Sequence, residues 1–492
     1  MPGFDADGTD QDELHANGVE AETGRPLPPP ENGSGARIVD IAGGSMARFE
    51  DETVAGRHAA SDCGVDTFGT DSSVENPEEL DQAGWGIVFP AEVDAEPYKE
   101  ALHPLLDLRR SQAGDLFRVF EKDAGIRPGE EATAWLARQG EGPGLAAVDP
   151  SRGVPYYLLI VASPEDVPMS FQYLLDVFWA VGRLHFDNME NYRRYAEALA
   201  QYEKGELIFQ KSRRSVLFST AHEFDRATAM FTRDVAKPFR DGSGSAGPLG
   251  KRQGFALTSL LERDARKSSL LAALGGAEGP PSLLFSGTHG MTFGKDDPRQ
   301  RDCQGALVCD DWEGYGAVTE DDWLSAGDLP ASLRLNGMMH FLFACYGAGW
   351  EAVDTFRDGP DGRGRQIADK PAMARLPQAM LSRGALSVIA HVDRAWSYSF
   401  RTPLGRPQSH PIRDVLTRLM QGKRIGNAID QFNAQWSALT IPIAEIMRNS
   451  AGDPATRSRL AKLWIIRDDV RNYAVLGDPA ARIRMDLLSA EP

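Results

Sequence analysis

Hydrophobic positions along the chain are gathered into short continuous runs that are separated by longer polar stretches. Apolar runs of about four to eight residues, rich in β-branched and aromatic side chains, are typical of strands buried on both faces of a sheet. The sequence predicts such strands within residues 85–90, 154–162, 215–220, 282–290, 341–349 and 385–390.

Between these runs, apolar residues recur at every third or fourth position. That spacing is typical of an amphipathic helix with one buried face. It predicts helices at residues 97–110, 189–204, 224–236, 253–274, 372–382, 411–421 and 427–448. Pro104 and Pro377 lie inside two of these segments and mark points where a helix would kink or end.

Strands and helices alternate along most of the chain. The alternation predicts a three-layer α/β/α fold in which helices cover both faces of a mostly parallel sheet. We expect a smaller N-terminal α/β subdomain at residues 84–210 and a larger domain at residues 211–487.

The first 80 residues lack this periodicity. Positions 1–25 contain seven acidic residues and one arginine, and Pro26, Pro28, Pro29 and Pro30 follow. A segment with so little apolar surface cannot offset the entropy that is lost on ordering. We therefore expect residues 1–80 to be a disordered acidic segment, dispensable for folding and suited to shield a site as a pro-segment.

Composition and charge narrow the range of partners. The 492 residues are 42% hydrophobic and 25% charged, as in an ordinary globular protein. With 53 basic and 71 acidic residues the net charge is −18, which disfavours nucleic acid and anionic membranes as partners. The sequence has no apolar stretch of about 18 residues and no basic-then-apolar leader, so we expect a cytoplasmic protein.

Two of the predicted strands end in a reactive side chain that glycine soon follows. Cys345 precedes Gly347, and His289 precedes Gly290, with 345 − 289 = 56 residues between thiol and imidazole. The carboxyl ends of parallel strands are where α/β sheets place their sites, and a thiol beside an imidazole is a nucleophilic pair. Backbone N–H groups at such glycine turns, Gly290 among them, can face a developing oxyanion.

Other residues leave alternatives open. Cys303 and Cys309 lie in a polar loop, and the four cysteines, which include Cys63, show neither metal-ligand nor disulfide spacing. We therefore expect no metal and a reducing compartment. Ser286 is a possible nucleophile but lacks the Gly-x-Ser-x-Gly elbow. The further candidates for the base are His222, His340 and His391.

Two short motifs carry a family resemblance. Ser286-Gly-Thr-His-Gly290 and Phe343-Ala-Cys-Tyr-Gly347 resemble the His-Gly and Ala-Cys signatures of caspase-like (clan CD) cysteine peptidases, which include caspases, gingipains and CHAT proteases. The match is closest to the gingipain type. Its supporting segments, within residues 84–485, are the strand at 157–162, Val181-Gly-Arg-Leu184 and Leu476-Gly-Asp-Pro479.

The resemblance implies a caspase-hemoglobinase-like fold and a cysteine endopeptidase acting on protein or peptide substrates. Cys345 would attack the carbonyl as a thiolate, His289 would protonate the leaving amine, and the N–H groups of Gly290 and Cys345 would form the oxyanion hole. No cofactor is implied. An intracellular regulatory role fits best, with any activating partner unknown. The alternatives are a catalytically silent scaffold of the same fold and an enzyme acting on non-peptide acyl groups.

The resemblance also suggests a specificity pocket. In gingipains an acidic residue and a tryptophan hold a basic side chain, and Asp176 and Trp396 stand at the matching places. A carboxylate would pair with the cation and the indole would hold its stem. Asp393 is the fallback carboxylate, whereas Arg394 would favour an acidic residue. The exposed, glycine-rich loop at residues 357–365 is a candidate processing site.

Overall fold

The computed structural model describes residues 14–30, 69–141, 147–207, 210, 212–276, 279–357, 359, 364–402, 405–450 and 454–490. The strands are Gly18–Glu20 (β1), Trp85–Val88 (β2), Phe117–Phe120 (β3), Tyr157–Val161 (β4), Ala180–Leu184 (β5), Arg214–Ser219 (β6), Ala256–Leu261 (β7), Leu283–Gly287 (β8), Gly290–Thr292 (β9), Leu307–Val308 (β10), Trp323–Leu324 (β11), Met339–Phe343 (β12), Gly349–Trp350 (β13), Val353–Asp354 (β14), Arg365–Gln366 (β15), Ala372–Met373 (β16), Ser387–His391 (β17) and Tyr473–Gly477 (β18).

The helices lie between these strands and after them. They are Leu80–Ala83 (α1), Glu96–Ala101 (α2), His103–Ala113 (α3), Ala132–Arg138 (α4), Met169–Leu175 (α5), Met189–Glu203 (α6), Arg226–Phe231 (α7), Lys237–Asp241 (α8), Lys267–Gly275 (α9), Gln300–Cys303 (α10), Arg375–Leu381 (α11), His410–Met420 (α12), Ile425–Ala428 (α13), Asp430–Ser450 (α14) and Pro454–Arg471 (α15). A π-helical turn, Thr232–Ala236, joins α7 to α8.

Within the described residues the largest sheet has ten strands in the order β3-β2-β4-β5-β18-β17-β12-β8-β6-β7. Most neighbouring strands run parallel, and β17 and β18 pair antiparallel. Strands β4, β5, β8, β12 and β17 are buried along their whole length. Because successive residues of a strand face opposite sides, both faces of the sheet are covered. The predicted three-layer α/β architecture is confirmed.

The two predicted domains share this sheet. Strands β2 to β5 form one end of it, and the strands of the larger predicted domain form the other, with β5 beside β18. The boundary near residue 210 stays a prediction. A smaller second sheet, in the order β1-β9-β10-β11, contains a strand from the N-terminal segment.

Strand β1 lies within residues 1–80, which the sequence predicts to be disordered. Residues 14–30 are ordered, with Val19 fully buried and Leu27 at 5% exposure. Residues 69–80 are also described, and Leu80 is buried in the main core. The expectation of disorder therefore does not hold for these two segments, because their few apolar side chains pack against distant parts of the chain. Residues 1–13 and 31–68 lie outside the described residues.

Several helix predictions need correction. The predicted helix at 253–274 is strand β7 followed by helix α9, because the Leu-rich residues 256–261 pair with β6 at the edge of the sheet and pairing outweighs propensity. The predicted helix at 97–110 is divided at Leu102 into α2 and α3, with Pro104 in the first turn of α3. Helix α15 and strand β3 have no counterpart in the sequence-based prediction.

A buried charge cluster joins the two predicted domains across the sheet. The Arg109 guanidinium donates to both carboxylate oxygens of Glu203 at 2.7 and 2.6 Å and to Asp478 at 2.7 Å. Asp478, of the Leu-Gly-Asp-Pro motif, also accepts a hydrogen bond from the Trp85 indole at 3.0 Å. The cluster therefore ties α3, α6 and β2 to the end of β18.

Replacing Arg109 with methionine is expected to lower the free energy of unfolding by about 3–5 kcal/mol, because two carboxylates would be left buried without their cation. Urea denaturation measures the change. The matched control is Arg110→Met in the same helix, where an exposed pair with Asp107 is lost and a change under about 1 kcal/mol is expected. Equal effects of the two substitutions would contradict a stabilising role for the cluster.

Candidate active site

Cys345 lies just beyond the carboxyl end of β12 and is fully buried. Its Sγ accepts a hydrogen bond from the Ala395 N–H at 3.2 Å. The next residue, Tyr346, has a φ of +60°, a left-handed conformation that is costly for a bulky side chain. The chain therefore turns sharply at the thiol. Such strain is often found at functional positions.

His289 lies beyond the end of β8, beside Cys345. Strands β8 and β12 pair in parallel with Gly287 opposite Phe343, an offset of 343 − 287 = 56 residues. The offset between His289 and Cys345 is also 345 − 289 = 56, so the two residues continue the same register. The spacing noted in the sequence is thus the pairing register of two neighbouring strands.

The His289 ring contacts a carboxylate that the sequence did not single out. Its Nε2 lies 2.9 Å from Oδ2 of Asp225, and both side chains are buried. Asp225 caps α7 by accepting hydrogen bonds from the N–H groups of Ala227 and Thr228. Burial alone would raise the pKa of Asp225, but His289 and the hydrogen bonds from Thr228 hold it well below the usual range. The carboxylate is therefore ionised and able to orient the imidazole.

The other candidate histidines have different partners. His222 stacks in parallel on His289 with 6.4 Å between ring centroids, and burial lowers its pKa to about 4. His340 shares a 2.7 Å hydrogen bond with Ser286, the alternative nucleophile, inside the sheet. His391 bonds the carbonyl of Asp469 at 2.7 Å. Of the four imidazoles, His289 alone continues the strand register of Cys345.

Two backbone N–H groups converge on one oxygen atom beside the thiol. The N–H of Gly290 and the N–H of Cys345 each donate to the carbonyl oxygen of Asn17, at 2.9 Å in both cases. Two donors aimed at one carbonyl oxygen are the arrangement of an oxyanion hole. The carbonyl that occupies it belongs to the chain's own N-terminal segment.

Residues on the amino side of that carbonyl pair with residues 395–397 in antiparallel register. The Asn17 N–H donates to the Ala395 carbonyl at 2.9 Å, and the His15 carbonyl accepts the Ser397 N–H at 2.9 Å. The pairs are Asn17 with Ala395, Ala16 with Trp396, and His15 with Ser397.

Residues on the carboxyl side of the carbonyl continue as β1, which pairs in parallel with β9 from Gly290 onward. Gly18 lies against the thiol, since a Cβ atom added to it would stand 2.9 Å from both Cβ and Sγ of Cys345. The same Cβ would stand 2.6 Å from Leu27. Only glycine fits at this position without displacing the segment.

The covered thiol is strongly held in its protonated form. Burial raises the pKa of Cys345 to about 12, and the hydrogen bond from Ala395 offsets only part of the shift. A thiol with such a pKa carries little thiolate near neutral pH. Removing the segment that covers it is therefore the step that would make it reactive.

The predicted pocket residues lie in different surroundings. Trp396 pairs with Ala16 and packs against Phe356 with 5.0 Å between ring centroids. Asp393 is buried with a φ of +63°, and its carboxylate accepts the Glu351 N–H at 3.0 Å. Burial beside the Glu351 carboxyl raises the pKa of Asp393 well above its usual range, which favours the uncharged form.

Asp176 and Arg394 complete the set of predicted pocket residues. Asp176 ends helix α5, and burial raises its pKa well above the usual range. Its described charged neighbours are Arg183 and Asp430. Arg394 forms a buried ion pair with Asp354 and donates to the Pro28 carbonyl at 2.7 Å. Of the predicted set, Trp396 and Arg394 contact residues 14–30.

The described cysteines, Cys303, Cys309 and Cys345, are free thiols. Across the described ranges, no cluster of three or more His, Cys, Asp and Glu side chains is arranged to hold a metal ion. Every helix in those ranges is too short or too polar to cross a lipid bilayer. The predicted processing loop includes positions 358 and 360–363, which lie outside the described residues, so it stays a prediction.

No protein-family model and no curated protein matches the chain. Several solved structures are similar to it, including the following three. The complex of Porphyromonas gingivalis RgpB pro- and mature domains has a TM-score of 0.46 and 12% identity, covering 82% of this chain and 80% of that chain. A structure of a protease has a TM-score of 0.45 and 13% identity, with 81% and 78% covered. The Saccharomyces cerevisiae separase–securin complex has a TM-score of 0.30 and 10% identity, with 78% and 22% covered.

Proposed function

We propose that the protein is a cysteine endopeptidase in which Cys345 is the nucleophile and His289 the general acid and base. One observation carries the proposal: a peptide carbonyl oxygen, that of Asn17, accepts the N–H groups of both Gly290 and Cys345 beside the thiol. This is the position in which a substrate carbonyl would be attacked. Preorganised donors at that position stabilise the charge that develops on the oxygen.

The chemistry proceeds in two steps. The Cys345 thiolate attacks the carbonyl carbon, the C–N bond breaks, and His289 gives its proton to the leaving amine. Water then gives a proton back to His289 and attacks the thioester, which releases the carboxylic acid and restores the Cys345 thiolate. Asp225 acts as a positioning residue, because its buried carboxylate lies 2.9 Å from Nε2 and fixes the orientation of the imidazole.

The proposal extends to a caspase-like enzyme of the gingipain type with protein or peptide substrates, acting in the cytoplasm. The paired motifs around His289 and Cys345 support the family, and their shared strand register supports the pairing. A preference for a basic residue, through Asp176 or Asp393 with Trp396, is a separate hypothesis. The peptide panel described in the next subsection distinguishes it from another preference.

A catalytically silent scaffold of the same fold is the main alternative. In the closed chain, in which residues 14–20 cover Cys345, the buried thiol with its raised pKa favours this alternative. The test therefore uses the full chain carrying Gly18→Val, called the opened chain below, in which the added side chain displaces residues 14–20 from the thiol. We expect the opened chain to cleave a peptide library, as measured by mass spectrometry, and the same chain with Cys345→Ala to cleave nothing.

The matched control is Cys309→Ala in the opened chain, which removes a buried thiol outside the site and is expected to keep the cleavage. Cleavage that persists in Cys345→Ala would contradict the nucleophile assignment. If the opened chain hydrolyses simple thioesters through Cys345 but cleaves no peptide, the result would favour the alternative that the protein acts on non-peptide acyl groups.

A further inference from the structure

The segment from His15 to Glu20 lies across the site as an extended peptide. It pairs with residues 395–397 on the amino side of the Asn17–Gly18 bond and with β9 on the carboxyl side. The carbonyl of that bond is the one that accepts the two N–H groups. The contacts on both sides therefore define the register: Asn17 holds the position before the scissile bond, and Gly18 the position after it.

The Asn17 side chain is fully enclosed. Among the described residues, neither the oxygen nor the nitrogen of its amide has a hydrogen-bond partner. Burying an amide without a partner costs free energy, and an aliphatic side chain would fill an enclosed pocket at less cost. The asparagine at this position is therefore not explained by the stability of the closed chain, and it lies where substrate specificity would be decided.

The charges next to the pairing residues do not favour a cation in this place. Asp393 and Arg394 directly precede Ala395, which pairs with Asn17. The Asp393 carboxylate already accepts the Glu351 N–H, and the Arg394 guanidinium is already paired with Asp354. The buried Asp469 carboxylate, which accepts the Trp396 N–H, already faces His391 at 3.1 Å. A cation placed here would compete with these existing partners, whereas a small neutral side chain is already accommodated.

We propose that the site accepts peptides with asparagine before the scissile bond, and that residues 15–20 are the chain's own copy of such a peptide. The inference rests on the function proposed above. Attack by Cys345 would form an acyl-thioester at the Asn17 carbonyl and free the Gly18 amine. Hydrolysis by water would then leave a carboxylate on Asn17.

The resident bond persists because its leaving amine cannot diffuse away. After acylation, Val19 and Glu20 would stay paired with Met291 and Thr292, and the Gly18 carbonyl would still accept the Leu27 N–H. An amine held beside the thioester re-forms the peptide bond faster than water enters. A free peptide lacks this tether, so its amine leaves and hydrolysis is completed.

The first test measures kcat/KM of the opened chain on fluorogenic peptides His-Ala-X, with Asn, Asp, Gln, Arg, Lys or Leu as X. We expect asparagine to exceed every other residue by at least about tenfold. Faster turnover of the arginine or lysine peptide than of the asparagine peptide would overturn the inference about asparagine. The proposed peptidase activity would still be supported. No turnover of any peptide, together with no cleavage of the library, would overturn both.

The second test needs no catalysis and uses the full chain without Gly18→Val. Asn17→Arg is expected to expel the segment, so that iodoacetamide labels Cys345 at least about tenfold faster. Glu22→Arg adds the same side chain at an exposed position two residues beyond the segment and is the matched control. Labelling of Asn17→Arg as slow as that of the control would show that the pocket holds a cation, and would overturn the inference.

Discussion

Replacing Gly18 with valine is expected to raise the rate at which iodoacetamide alkylates Cys345 by about a thousandfold near neutral pH. The valine Cβ would overlap the Cys345 side chain, which strand β12 holds in place, so the segment has to leave. Once exposed, the thiol returns from a pKa of about 12 towards 9.0. Three pH units correspond to about a thousandfold in thiolate fraction, and the thiolate is the reactive species.

The pH dependence distinguishes exposure from a general increase in labelling. In the unaltered chain the rate should still rise about tenfold per pH unit at pH 10, because the thiol is not yet half ionised. In Gly18→Val the rate should level off above about pH 9. Peptide mapping separates Cys345 from the half-buried Cys303.

Glu22→Val adds the same side chain at an exposed position just after residues 14–20 and is the control for this experiment. Its labelling rate should match that of the unaltered chain. A slow rate and an unchanged pH profile in Gly18→Val would mean that residues 14–20 do not cover the thiol in solution.

Removing the imidazole is expected to have the second large effect. His289→Ala in the opened chain should lower kcat/KM by at least about a thousandfold, because both the proton for the leaving amine and the base for water are lost. The double variant with Cys345→Ala should be little worse than either single variant, since the two groups act as one unit. Steady-state kinetics on the best peptide measures both.

His222→Gln is the informative comparison, because this ring stacks on His289 outside the strand register. We expect it to cost less than about tenfold. A larger loss in His222→Gln than in His289→Ala would transfer the role of base to His222.

The placement of the thiol and the imidazole at neighbouring strand ends could be predicted because the signals for it are local. An apolar run followed by glycine marks a strand end, and the 56-residue spacing between His289 and Cys345 is the register of β8 and β12. Asp225 could not be found in the same way. Its contact with His289 requires the loop after β6 to approach the end of β8. No spacing of residues along the chain predicts that approach. An aspartate before a helical segment is, at the sequence level, only a helix cap.

The order of residues 14–30 could not be predicted from the sequence for a similar reason. The segment has neither strand nor helix periodicity, and what holds it is pairing with β9 and with residues 395–397, hundreds of positions away. Composition measures the apolar surface that a segment can bury by itself. It does not measure the apolar contacts and hydrogen bonds that the segment gains in a groove formed by distant residues.

Residues 15–20 are covalently connected to the groove that holds them. External peptides that bind the closed chain therefore compete with a tethered ligand. A tethered ligand acts at an effective concentration that is commonly in the millimolar range for short linkers and does not change with the amount of protein. An external peptide must exceed that concentration, corrected for the ratio of the two affinities, before it occupies half of the grooves. Dilution releases a ligand that binds as a separate molecule, but it leaves the thiol of the closed chain covered.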